Sequence, residues 1–106
     1  MNDARLELLR KYVDEEPEDP FNWYALAIEE QKHNTLKAEE IYQHLLRSFP
    51  DYIPTYYQAG LLYIESGNPR DALKILNTGL LKCVEQKNSK TKNEIQSLML
   101  QIEDYI

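Results

Sequence analysis

An internal repeat with a period of 33 to 34 residues restricts the fold of this chain more than any other feature of the sequence. The segment that begins at Trp23 matches the one that begins at Tyr56, and Ala27 matches Gly60 at the same spacing of 33 residues. Further along, the spacing is 34 residues in the pairs Ala38 and Ala72, Tyr42 and Leu76, and Leu45 and Gly79. The extra residue falls between these two groups, where a loop can absorb it. A period of this length indicates stacked helical hairpins.

Capping and turn residues predict where the helices begin and end. Side chains that can cap the first N–H groups of a helix are found at Asp19, Asp51 and Asn68. Thr91 is a further candidate, because it can form a capping box with Glu94. Pro20 and Pro69 suit the first position of a helix, and Gly67 suits the left-handed residue that ends one. Pro50 ends a helix near Ser48. These signals predict two helices in each repeat.

Two amphipathic segments outside the repeats predict two more helices. Residues 3–14 place Leu6, Leu9, Tyr12 and Val13 on one side. A helical apolar stripe near the other end consists of Ile95, Leu98, Met99, Ile102, Tyr105 and Ile106. This stripe has no counterpart in the repeats, so we expect its helix to be a buried structural cap.

The predicted fold class is all-α, a right-handed stack of antiparallel helical hairpins with about six helices. The 106 residues are predicted to form a single domain. Within it we expect an N-terminal helix in residues 1–18, repeat one in 19–51, repeat two in 52–86 and the capping helix in 87–106.

Over residues 19–84 the chain resembles the tetratricopeptide repeat family, whose repeat is a 34-residue helical hairpin. The first helix of that hairpin has a large aromatic residue and a Leu-Gly or Leu-Ala pair, and the second helix has small residues. The matching residues are Trp23, Leu26, Ala27, Ala38, Tyr42 and Pro50 in repeat one, and Tyr56, Ala59, Gly60, Tyr63, Gly67, Ala72 and Gly79 in repeat two. The departures are Glu30, Leu45 and Val84. The chain also resembles small stand-alone bacterial members that have two repeats.

The charge distribution and the single cysteine restrict partners and compartment. The net charge is −6, and all of it lies in residues 1–51, where six Lys and Arg face twelve Asp and Glu. This acidic half argues against nucleic acid as a partner. The one cysteine, Cys83, suits a reducing compartment. The sequence lacks the apolar runs of a signal peptide or a membrane span. We therefore expect a cytoplasmic protein without a membrane partner.

No residue pattern predicts catalysis, and we expect no enzyme activity, no cofactor and no metal site. His33 and His44 are eleven residues apart, without a partner at a metal-ligand spacing, and are interpreted as solvated. Cys83 lies on the apolar side of its helix and is interpreted as a core residue. The pairs Glu29–Glu30 and Glu39–Glu40 are interpreted as parts of solvated helix faces, because adjacent helical residues point in different directions.

The family resemblance implies a binding groove formed by the first helix of each repeat. The predicted partner-binding residues are Phe21, Tyr24, Ile28, Tyr57, Leu61 and Ile64, with Lys32 and Glu65 at the rim. Two functions remain open. One is an adaptor that binds a protein or peptide of unknown identity. The other is a self-associating structural module, such as a homodimer, whose groove is filled by its own C-terminal helix or by a second copy.

Overall fold

The computed structural model describes residues 3–104, and these residues form six α-helices and no β-strand. The helices are α1 (Asp3–Glu15), α2 (Pro20–Gln31), α3 (Thr35–Ser48), α4 (Pro54–Glu65), α5 (Pro69–Glu85) and α6 (Ser89–Glu103). The predicted all-α fold of helical hairpins is thereby confirmed. The chain divides between Tyr52 and Ile53 into two compact units, one with α1 to α3 and the other with α4 to α6.

Several helix starts agree with the capping predictions. The Asp19 side chain accepts the N–H of Phe21 at 2.9 Å, and Pro20 is the first residue of α2. Pro69 is likewise the first residue of α5, although the side chain of Asn68 makes no capping hydrogen bond there. Prolines fit these positions because the first helical residue needs no N–H partner and the ring already has a helical φ.

Two residues that were predicted to cap helices do not occupy the cap position. Asp51 does not cap α4, because that helix begins at Pro54 with Ile53 in the cap position and no side-chain capping bond. Thr91 does not cap the last helix either. The side chain of Asn88 accepts the N–H of Thr91 at 3.1 Å, so Thr91 lies inside the first turn of α6.

In the first unit, α2 packs against both α1 and α3. The buried apolar side chains of this unit are Leu6, Val13, Leu26, Ala27, Ala38, Ile41, Tyr42 and Leu45. Tyr42 is completely buried, and its hydroxyl donates a hydrogen bond to Oε1 of Gln31 at 2.9 Å. The predicted apolar side of α1 is only partly buried, because Leu9 is half-buried and Tyr12 is exposed.

In the second unit, α5 packs against both α4 and α6, and two glycines allow close approaches. A Cβ atom added at Gly60 would lie 2.6 Å from Cδ2 of Leu76. A Cβ atom added at Gly79 would lie 2.5 Å from Cβ of Tyr56 and 3.2 Å from Cδ1 of Ile95. Alternating small and large side chains therefore bring these helices together.

The apolar stripe of α6 is buried, as expected of a cap. Ile95 and Ile102 are completely buried, Leu98 is nearly so, and Met99 is half-buried. The last two residues of the predicted stripe, Tyr105 and Ile106, lie outside the described residues. Because α6 packs on both helices of the hairpin before it, it completes the core of the second unit.

The two helices of the second hairpin end in the same motif, but only one of them uses glycine. After α4, Gly67 has a φ of 82° and the N–H of Asn68 donates to the carbonyl of Tyr63 at 2.8 Å. After α5, Lys87 has a φ of 58° and the N–H of Asn88 donates to the carbonyl of Cys83 at 2.9 Å. The left-handed backbone conformation is unfavourable for residues with a side chain, whereas glycine adopts it without this cost.

Replacing Lys87 with glycine is therefore expected to raise the free energy of unfolding by about 1 kcal/mol. The left-handed conformation costs residues other than glycine roughly 1–2 kcal/mol, and the substitution removes this cost. The unfolded chain of the glycine variant is more flexible, and this offsets part of the gain. Urea denaturation followed by circular dichroism measures the change. Lys90→Gly, inside α6, is the control and should destabilise, because glycine is a poor helix former. Destabilisation by Lys87→Gly would contradict the assigned cap.

Candidate partner-binding surfaces

The predicted residues of repeat one lie on one face of α2. Phe21, Tyr24 and Ile28 are spaced at i, i+3 and i+7, which places them on the same side of a helix. The Phe21 side chain is 57% exposed, and the other two are half-buried. The ring of Tyr24 meets that of Tyr52 edge to face, with 5.7 Å between the centroids. Lys32, at the rim, is exposed. The face thus presents partly exposed aromatic and aliphatic surface.

The predicted residues of repeat two lie on one face of α4. Tyr57, Leu61 and Ile64 follow at i, i+4 and i+7, and all three are half-buried. Glu65, at the rim, is exposed. The buried positions of this helix are different ones, namely Thr55, Tyr56, Ala59, Gly60, Leu62 and Tyr63. Packing within the helix pair therefore depends chiefly on residues outside the predicted set.

Glu29 and Glu30 are buried, so their interpretation as solvated residues is wrong. Only 4% of Glu29 and 2% of Glu30 is exposed. Both carboxylates are paired with arginines of α1: Nε of Arg5 lies 3.1 Å from Oε1 of Glu29, and Nη2 of Arg10 lies 3.1 Å from Oε2 of Glu30. Nζ of Lys32 lies 3.0 Å from the other oxygen of Glu29. These ion pairs join α1 to α2, and the arginines of α1 were the signal that sequence reasoning missed.

The pKa of Glu29 is lowered from its ordinary value of 4.5. The largest cause is the hydrogen bond from the Lys32 ammonium, and the positive charges of Lys32 and Arg5 add to it against the opposing effect of burial. A carboxyl whose pKa is lowered on folding stabilises the folded state above its unfolded pKa, and this contribution is lost as the pH falls through the folded value.

We therefore expect the stability difference between the wild-type protein and Glu29→Gln to be largest near neutral pH and to shrink as the pH falls below about 4.5. Thermal unfolding at a series of pH values measures it. Glu7→Gln, an exposed carboxylate of α1, is the control. A difference between Glu29→Gln and the wild-type protein that does not change with pH would show that the charge of Glu29 contributes nothing to folding.

A groove that the sequence did not predict lies in the first unit, between α1 and α3 and above α2. We call it the α1–α3 groove, and its volume is about 340 Å³. Its floor consists of the buried side chains of Val13, Leu26 and Ile41. Charged side chains from all three helices also line it, among them Arg10 and Asp14. Sequence periodicity cannot reveal this groove, because it depends on where α1 lies relative to α3.

His44, interpreted from the sequence as solvated, is half-buried in an aromatic cluster next to this groove. Its ring centroid lies 4.4 Å from that of Trp23 and 5.9 Å from that of Phe49. The indole N–H of Trp23 donates to the carbonyl of Pro17 at 2.8 Å. His33, in contrast, is exposed as expected.

Three further observations on the described residues concern the cysteine, clusters of metal-binding side chains and membrane-spanning helices. Cys83 is buried, as its core interpretation requires, and burial raises the pKa of its thiol. Residues 3–104 contain no cluster of three or more His, Cys, Asp or Glu side chains that could hold a metal ion. Within the same range, no helix has the length and apolar character needed to cross a membrane.

Comparison with solved structures decides the family. The solution structure of a tetratricopeptide repeat domain protein from Salinibacter ruber is 36% identical to this chain, with a TM-score of 0.79, and the match covers 83% of this chain and 90% of that one. The chain belongs to the tetratricopeptide repeat family. A crystal structure of a tetratricopeptide repeat domain protein from the same organism is also 36% identical, with a TM-score of 0.77, and covers 81% of this chain and 97% of that one. No family model and no curated protein matches the sequence.

Two departures from the tetratricopeptide repeat pattern have a structural explanation. Glu30 stands where repeat two has Tyr63, and its buried carboxylate is bound by Arg10. Leu45 stands where repeat two has Gly79, and it is completely buried. Side chains at equivalent positions of the two repeats therefore differ in size and charge. The family resemblance expected from the sequence is confirmed, although the contacts differ between the two repeats.

Proposed function

We propose that this tetratricopeptide repeat protein is a non-catalytic adaptor that binds a protein or peptide through the faces of α2 and α4. One observation carries the proposal: the first helix of each repeat keeps a row of aromatic and aliphatic side chains partly exposed beside its buried side. Aromatic residues are enriched where proteins bind one another, because they bury a large area at low entropic cost.

The charged side chains beside each row orient the bound partner. Lys32 follows the α2 face and Glu65 follows the α4 face, and both are exposed. Exposed charges at the rim of an interface guide encounter and register more than they add affinity. A short peptide on such a surface is expected to bind with a Kd on the order of 1 μM, which corresponds to about −8 kcal/mol. A reducing cytoplasm as the site of action fits the single buried cysteine.

The experiment that tests the adaptor compares the wild-type protein with the double variant Tyr24→Ala and Tyr57→Ala, and with Phe21→Ser. Partners are captured from an extract of the native organism, and the stability of each variant is measured in parallel. Tyr12→Ala is the control, because Tyr12 is an exposed aromatic residue of α1 outside the proposed surface. Loss of capture at unchanged stability supports the adaptor. Strong destabilisation by the double variant, together with full capture by Phe21→Ser, contradicts it.

Self-association is a second candidate function, and one observation favours it. In the second unit, Leu81, Val84 and Leu100 are 65%, 57% and 66% exposed, respectively. These residues lie on α5 and α6, which pack against each other, and a contiguous patch of exposed apolar side chains marks a protein interface. Light scattering across a range of protein concentrations tests it. A dimer that becomes monomeric in Leu100→Glu would favour self-association, and a monomer at all concentrations would reject it.

A further inference from the structure

The α1–α3 groove differs in chemistry from the proposed surfaces of α2 and α4. Its floor is aliphatic, from Val13, Leu26 and Ile41, whereas its walls carry charges of both signs. A volume of about 340 Å³ lies at the lower end of the range for pockets that hold ligands, roughly 300–1,000 Å³. A groove of this size and lining can hold one long side chain with an apolar stem and a charged end.

The charges of the groove leave one carboxylate without an ion pair. Arg10 is paired with Glu30 at 3.1 Å, and Nζ of Lys37 lies 4.0 Å from Oε2 of Glu40. Asp14 also lines the groove, and its exposed side chain has no ion pair within residues 3–104. The unbalanced charge is therefore negative, and it selects a cationic ligand.

An aromatic pair adjoins the same space. Trp23 and His44 both line the groove, with 4.4 Å between their ring centroids. The hydrogen bond from the Trp23 indole to the carbonyl of Pro17 holds its ring in place. Tryptophan is the aromatic side chain that attracts cations best. The groove thus combines an aliphatic floor, a free carboxylate and an indole ring.

We propose that the α1–α3 groove binds the lysine side chain of a basic segment in a protein partner. The four-carbon stem of lysine covers the aliphatic floor, and its ammonium group reaches Asp14. The longer methylene stem distinguishes lysine from arginine on this floor. The excess of acidic residues in the first unit attracts basic segments at longer range. This site does not depend on the surfaces of α2 and α4.

The only tryptophan of the chain makes the test specific, because the indole N–H signal in an NMR spectrum reports on Trp23 alone. The probe is an acetylated and amidated Gly-Lys-Gly peptide, and otherwise identical peptides carry norleucine or arginine. The lysine peptide is expected to shift the signal saturably, with a Kd on the order of 1 mM at low salt. Higher salt weakens this binding, and the norleucine peptide binds more weakly because it lacks the charge.

Two matched variants complete the experiment. Asp14→Asn should weaken binding of the lysine peptide by about twofold to fivefold, the effect of an exposed ion pair. Glu7→Gln removes the same charge from another exposed position of α1 and should leave the Kd unchanged. Equal binding of the norleucine peptide, tighter binding of the arginine peptide, an unchanged Kd in Asp14→Asn, or no saturable shift would each overturn the proposal. Tyr57→Ala, which disrupts the proposed α4 surface, should leave binding of the lysine peptide intact.

Discussion

Replacing Gly79 with alanine is expected to lower the free energy of unfolding by about 1–3 kcal/mol, the usual cost of overpacking a close contact. The new methyl group would lie 2.5 Å from Cβ of Tyr56 and 2.8 Å from Cγ of the same residue. Cβ is attached directly to the backbone of α4, so rotation of the tyrosine side chain cannot relieve the clash. The two helices have to move apart, and this movement would also disturb Ile95, which lies at the same contact. Chemical denaturation measures the loss.

Gly60→Ala is the matched comparison, because it adds the same methyl group to the same pair of helices. The nearest atoms there are Cδ2 and Cγ of Leu76, at 2.6 and 2.7 Å. These atoms belong to a leucine side chain that can change rotamer, so the loss should be smaller than for Gly79→Ala. Alanine also favours helix over glycine by roughly 1 kcal/mol, which offsets part of the cost at both positions. A larger loss for Gly60→Ala would contradict the assigned contact at Gly79.

Removing residues 89–106 is expected to unfold the second unit or cause it to aggregate. The deletion removes the buried side chains of Ile95, Leu98 and Ile102, and burial of each such side chain contributes about 1.5–3 kcal/mol. The combined loss, roughly 5–9 kcal/mol, approaches the whole stability of a typical domain, about 5–15 kcal/mol. Sedimentation and circular dichroism of the truncated protein test this expectation. A soluble truncated protein with unchanged stability would show that α6 is not a structural cap.

Single substitutions in α6 show how much the buried side chains of this helix contribute to the free energy of unfolding. Ile95→Ala should cost about 2–5 kcal/mol, because it leaves a cavity at a completely buried position. Leu100→Ala removes a side chain that is 66% exposed in the same helix, and its effect should stay within about 0.5 kcal/mol. Similar losses for the two variants would contradict the assigned burial of Ile95, because alanine is the best helix former and helix propensity cannot cause a loss at either position.

The repeat and its hairpins could be predicted because they depend on spacing along the chain. Matched small residues such as Ala38 and Ala72 are both completely buried, and the prolines at positions 20 and 69 begin helices. The predicted binding set on α2 and α4 also falls on one face in each helix, since helical periodicity alone places it there. Whether a partner occupies those faces stays a prediction.

Features that depend on the flanking helices could not be predicted. Glu30 and Trp23 lie in the same helix, and nothing in their spacing indicates that α1 supplies an ion-pair partner for Glu30 or that both residues line a groove. The start of α6 was predicted three residues too late, because Asn88 and Thr91 are both plausible caps and local sequence does not choose between them.

The sequence by itself determined the secondary structure and the repeat register of this tetratricopeptide repeat protein, because helical periodicity and capping are local properties of the chain. Only the tertiary structure decided which polar residues lie inside. The carboxylates of Glu29 and Glu30 are buried because α1 places Arg5 and Arg10 next to them, and a buried charge is tolerated only with such a partner. The α1–α3 groove has the same origin, since its walls come from two helices that are separated in sequence and that both pack against α2.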